Sequence, residues 1–103
     1  MQIQVNHDNH VRLVEETADR ISKTVEDSLA KFAERITRVE IHLGDVNGGK
    51  GGDDKRCMLE ARVASLQPIA VTHQAETLQM AIDGALDKLD HALSNALGKQ
   101  ATH

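Results

Sequence analysis

The chain has 103 residues, enough for one domain around a single modest core. It is 40% apolar and 27% charged, and its net charge is −4 at pH 7. That balance fits a globular protein, and it excludes the strongly basic field usual in a nucleic-acid binder, so any such role must rest on a local patch. Phe32 is the only aromatic residue, which argues against a single-strand reader that stacks bases on aromatic rings.

The acidic excess is spread along the chain. Residues 1–52 carry seven basic and nine acidic side chains, and residues 53–103 carry five and seven. No apolar run is long enough to cross a membrane. MQIQVNHDNH lacks the charged and apolar regions of a secretory leader. One cysteine, Cys57, has no partner for an intramolecular disulfide. A cytoplasmic protein is the expectation.

Residues 2–6, QIQVN, alternate, with Ile3 and Val5 on one face, and predict a half-buried strand. HDNH (7–10) follows as a turn, rich in side chains that bond their own backbone. From Val14 the period changes. Val14, Ala18, Ile21, Val25, Leu29, Phe32 and Ile36 recur at spacings of three and four, which predicts an amphipathic helix over 13–35. TRVEIHL (37–43) alternates again, with Val39, Ile41 and Leu43 on one side. RCMLEARVAS (56–65) does the same with Cys57, Leu59, Ala61 and Val63. Gln67-Pro68 signals a turn, and residues 69–72 read as a last short strand. Leu78, Ile82, Ala85, Leu86, Leu89, Leu93 and Ala96 share one face of a second helix, 78–97. Thr77 is its expected N-cap, Gly98 its expected stop, and 99–103 a frayed tail.

The order strand, helix, three strands, helix predicts an α+β fold. Its economical form is a two-layer sandwich, βαβββα, with a four-stranded sheet and two helices on one face. No repeat or linker divides the chain, so residues 1–103 read as one domain.

GDVNGGKG (44–51) begins like a phosphate-binding loop, G-x-x-x-x-G-K-[ST], but Gly51 stands where the hydroxyl residue belongs. Such a loop also needs a helix after it, and here both flanks are strands. The reading is a flexible hairpin loop over 44–55, made permissive by five glycines. His7, Asp8 and His10 suggest a metal, but zinc sites usually need four ligands, and a turn explains the same residues. Cys57 falls on an inward strand face, where a small core residue is the plainer reading than a nucleophile. Asp83, Asp87 and Asp90 share a helix edge, where a solvated acidic face outweighs acid–base chemistry. No metal, cofactor or catalytic residue is expected.

Charge placement around the helices says more. On the first helix Glu15, Glu16, Asp19, Glu26, Asp27 and Glu34 take one flank of the apolar stripe. Arg20, Thr24, Lys31 and Arg35 take the other. On the second helix Asp83, Asp87, Asp90 and Ser94 oppose Gly84, Lys88, His91 and Asn95. The acid-free flanks could form a phosphate-binding surface. Lys31 and Arg35 would equally suit a helix C-terminus, against its dipole.

AIDGALDKLDHAL (81–93) resembles the second-helix signature of the bacterial ribosome hibernation-promoting factors, also called ribosome-associated inhibitor or protein Y. That signature reads approximately A-I-D-x-x-x-D-K-L-x-R-Q-L. FAERITRVEIHL (32–43) is similar to the family's passage from first helix to second strand, and MQIQVNHDNH to its first strand and turn. The resemblance implies the βαβββα fold and a short form without the C-terminal dimerisation domain of long members. It implies docking on the small ribosomal subunit, in the channel for mRNA and tRNA, silencing translation in stationary phase or stress. Basic residues would hold rRNA: Lys31, Arg35 and Lys88 first, then Arg20, Arg38, His91 and Lys99. The chain departs from the pattern at His91, where the family tends to arginine, and in SNALGK, which leaves Lys99 alone. No catalysis, cofactor, small-molecule substrate or membrane partner is implied. The alternative is a diverged member that binds protein through Asp83, Asp87 and Asp90 and has lost the ribosome.

Overall fold

The computed structural model describes residues 1–46 and 55–101, with side-chain detail as far as Gly98. The elements follow as β1 (Gln2–His7), α1 (Glu15–Ser28), β2 (Ile36–Asp45), β3 (Lys55–Val63), β4 (Ile69–Ala75) and α2 (Leu78–Ala101), with a 3₁₀ turn at Ala30–Phe32. The sheet order is β1-β2-β3-β4. β1 pairs with β2 in parallel, and the other two pairings are antiparallel. A parallel pair needs a crossover, and α1 supplies it. This is the expected α+β layout.

Alternation in sequence becomes one apolar face in space. Ile3 lies beside Val39, Val5 beside Ile41, Ile41 beside Leu59, and Leu59 beside Val71. Both helices lie on that face: Ile21 and Val25 of α1 join Ala81, Ala85, Leu89 and Leu93 of α2 in one core with the strands. Each fully buried aliphatic side chain contributes about 1.5–3 kcal/mol. A bulge at Thr37 lets Ile36 and Val39, three residues apart, both point inward.

The structure corrects the helix expected over 13–35, since α1 ends at Ser28. The apolar spacing persists because the 3₁₀ turn and the start of β2 carry it on. Phe32 N donates to Leu29 O and Arg35 N to Phe32 O, and Leu29, Phe32 and Ile36 stay buried. Val14, expected on the buried stripe, is 65% exposed. α2 does not stop at Gly98 but runs to Ala101. One glycine costs a helix only about 1 kcal/mol, and Gly98 has nothing near it to force a turn. Thr77 does cap α2, its hydroxyl accepting from Met80 N at 3.1 Å. The expected loop 44–55 is shorter, because Gly44, Asp45 and Lys55 are strand residues. The flexibility expected of its centre lies outside the described residues, as do residues 102 and 103.

Candidate nucleic-acid interface

Lys31 sits in the 3₁₀ turn, not on the flank of a continuous helix. Its ammonium reaches α2, 3.0 Å from one Asp90 carboxylate oxygen and 3.1 Å from the other. It also lies 5.2 Å from the centre of the Phe32 ring, within cation–π reach. This hydrogen bond is the main reason the Asp90 carboxyl is held below its ordinary value. Desolvation opposes it, and Lys31's charge, the Ser94 hydroxyl and nearby His91 add to it. The pair is open to solvent, with side chains 58% and 41% exposed. An exposed pair of this kind contributes about 0–1 kcal/mol.

Lys88 sits elsewhere. Its ammonium donates to the backbone carbonyl of Thr72 on β4 at 2.8 Å. Positions 88 and 90 are about 200° apart around a helix, so Lys31 and Lys88 meet opposite flanks of α2. One turn before Lys88, the His73 ring presses on Gly84, and a Cβ at Gly84 would fall inside the ring's contact distance. Glycine is needed there for close approach. The Gly84–Lys88 flank is therefore a seam with β4, and Lys88 caps an edge-strand carbonyl as part of it.

Arg20 is exposed on α1 and lines a groove between the helices with Thr17, Thr24, Leu78, Gln79 and Ile82, about 220 Å³ in volume. Arg35 is half-buried after the 3₁₀ turn, and its carbonyl accepts from Ala64 N. The dipole argument for Lys31 and Arg35 fails, since the last turn of α1 contains no basic residue. His91 is exposed one turn after Lys88. The Lys99 side chain lies outside the described residues.

Arg38 belongs to the other side of the molecule, the sheet face that no helix covers. It donates to Gln2 and Gln4 across the β1–β2 ladder and pairs with Glu40 at 3.2 Å. That hydrogen bond from Arg38 leads the causes that lower the Glu40 carboxyl below its ordinary value. The structure thus brings Arg20 and Lys31 to the helix side, sets Lys88 across α2, and places Arg38 behind the sheet.

The other candidates resolve into structure. Asp8 closes the HDNH turn: its carboxylate accepts from His10 N at 2.9 Å and from Asp45 N at 3.2 Å. Among the described residues no three metal-binding side chains gather. Cys57 is buried, and burial pushes its thiol up to about 12, far from a reactive thiolate. Asp45 is buried and pairs with Lys55 at 2.9 Å, clamping the base of the β2–β3 hairpin.

Sequence reasoning missed the tie between Lys31 and Asp90, which are 59 residues apart. It also missed a cleft on the open sheet face. Asn6, His42, Met58 and Arg56 each stand at outward positions of their strands. Alternation alone assigns them that face, but only the strand register makes them neighbours.

Compared with known proteins, residues 3–101 match the model of the family described as Sigma 54 modulation protein / S30EA ribosomal protein. No curated protein gives a significant match. The fold is similar to that of the Thermus thermophilus Protein Y N-terminal domain, with 16% identity, a TM-score of 0.73, and 92% of this chain and 98% of that one covered. It is also similar to a ribosomal subunit interface protein from Coxiella burnetii, with 17% identity, a TM-score of 0.73, and 95% and 99% coverage. The chain belongs to the Sigma 54 modulation protein / S30EA ribosomal protein family.

Proposed function

We propose that this protein binds the ribosome and silences translation by occupying the mRNA and tRNA channel of the small subunit. The observation that carries the reading is the family match across residues 3–101. The mechanism is occupancy: a rigid two-layer body held by basic side chains on rRNA phosphates, without cofactor or bond-breaking. Arg20 and Lys31 supply the helix side. Because the Lys31–Asp90 pair is exposed, a phosphate can compete with Asp90 at small cost. Lys88 and His91 contribute from the far flank of α2. A body filling a channel is touched on several sides, which accommodates Arg38 behind the sheet. Arg35 and Lys99 complete the proposed set.

The test is co-sedimentation with vacant ribosomes at low and physiological salt. Binding through phosphates releases counterions and falls steeply as salt rises. Lys31, Arg35 and Lys88 replaced together by Glu should abolish pelleting, with circular dichroism checking the fold. Unchanged pelleting of that variant removes these three as contacts.

One observation favours a second reading, a protein-binding module. The net charge is −4, and Asp83 and Asp87 stay exposed beside the Lys31–Asp90 pair. Under that reading the partner binds the acidic flank of α2, and ribosome pelleting is absent even at low salt.

A further inference from the structure

The open face of the sheet holds a cleft of about 360 Å³ lined by Asn6, His7, Asp8, His42, Arg56 and Met58, among others. Its polar groups are unevenly satisfied. The Asn6 carbonyl oxygen accepts from Gln4 Nε2 at 3.1 Å, which leaves the amide nitrogen as the free end. That nitrogen is buried and has no hydrogen-bond partner. A buried donor without an acceptor is costly to keep, and what it lacks is a lone pair.

The charges point the same way. On this face Arg38 is paired with Glu40 and Arg62 with Glu60. Arg56 lies on the cleft wall, exposed, with no carboxylate partner among the described residues. The cleft's own carboxylate, Asp8, is already engaged by the backbone N–H groups of His10 and Asp45. His7 Nδ1 faces the Asp8 carbonyl at 3.1 Å, so it donates there and leaves Nε2 available. His42 Nε2 stands 3.5 Å from Glu40, leaving Nδ1. The cleft thus gathers a guanidinium, an unmet amide donor and two imidazoles around an apolar floor that includes Met58.

We propose that this cleft binds the oxyanion of a phosphate group, either a free phosphate or monoester or a phosphodiester of nucleic acid. Arg56 supplies the charge and a fork of donors. Asn6, whose enclosed Nδ2 turns out of its present position to reach the anion, adds a donor, and His42 and His7 flank the anion. The site is on the face opposite the helices, and it stands or falls separately from the ribosome reading.

The test is a titration of the full chain, followed by the side-chain resonances of Asn6, His42 and Arg56 at matched ionic strength. The probes are inorganic phosphate and a short single-stranded RNA. The expected result is a saturable shift of these three resonances. Arg56→Gln should weaken it about tenfold, and Asn6→Ala should weaken it too. Arg62→Gln, the same charge change in an arginine already paired, should leave it intact. Saturation by RNA and not by phosphate places the anion in a nucleic-acid backbone. Saturation by phosphate assigns a small anion site. The proposal is overturned if neither probe shifts the three resonances saturably, or if Arg56→Gln and Arg62→Gln weaken binding equally.

Discussion

The two flanks of α2 hold their cations for different purposes. On the β4 flank, Gly84 admits the His73 ring and Lys88 caps the Thr72 carbonyl. The close packing is at Gly84, and Lys88, itself exposed, belongs to the seam through its bond to the strand edge. On the other flank Asp90 meets Lys31 in a direct pair open to solvent. Beside that contact stand only the Ser94 hydroxyl, on Asp90, and the Phe32 ring, near Lys31. A basic residue is therefore not equivalent to a binding residue: Lys31 can be lent to a phosphate, while Lys88 leaves a strand edge uncapped if it turns away. The comparison ranks the proposed contacts in a way that counting lysines does not.

The sharpest way to break it is at Gly84. Gly84→Leu should destabilise the protein by about 1–3 kcal/mol, the range for overfilling a packed site, measured by urea denaturation. Adding His73→Ala should recover most of the loss, because the ring is the obstacle. Independent, additive effects of the two substitutions would mean that the seam is loose. The next effect is smaller. Lys88→Met should cost about 1 kcal/mol, as one charge-assisted hydrogen bond at a partly solvated carbonyl. Lys31→Met should cost no more than about 0.5 kcal/mol. If the order of these two were reversed, the assignment of seam and open flank would be wrong.

Both flanks were visible in the sequence, but their roles were not. A wheel places Asp83, Asp87 and Asp90 opposite Gly84, Lys88 and His91 without any structure. The strands were legible because Val39, Ile41 and Leu43 alternate with polar neighbours, and alternation is a local property. The end of α1 was not legible. A 3₁₀ turn also brings residues three apart onto one side, so Leu29 and Phe32 continue the helical spacing after the helix has stopped at Ser28. That error moved Lys31 and Arg35 off their assigned flank. The glycine in AIDGALDKL carried a signal that went unread: a helix-weakening residue inside an apolar helix marks a close approach. His73 could have been suspected as the group that approaches, since β4 alternation puts it inward beside Val71. The long-range pairings, Lys31 with Asp90 and Asn6 beside His42, depend on how α2 and β1 dock. No spacing along the chain encodes them.

The smallest effect tests the open flank directly. The Asp90 carboxyl is depressed chiefly by its hydrogen bond from Lys31, assisted by Lys31's charge. A carboxyl depressed in the folded state adds stability that is complete above its unfolded titration range. That stability is lost as pH falls through the folded value. In the wild type, carbon NMR of the Asp90 carboxyl should show a midpoint below the ordinary aspartate range. In Lys31→Met the midpoint should rise toward that range. The small stability difference between the two proteins should then disappear at acid pH, where the carboxyl is protonated in both. Salt should erode the same difference at neutral pH, because the pair faces water. If the Asp90 midpoint does not move on Lys31→Met, the two side chains are apart in solution. Under the proposed ribosome reading, the cation at the 3₁₀ turn would then meet a phosphate without displacing anything, and salt sensitivity would be carried by the external contacts alone.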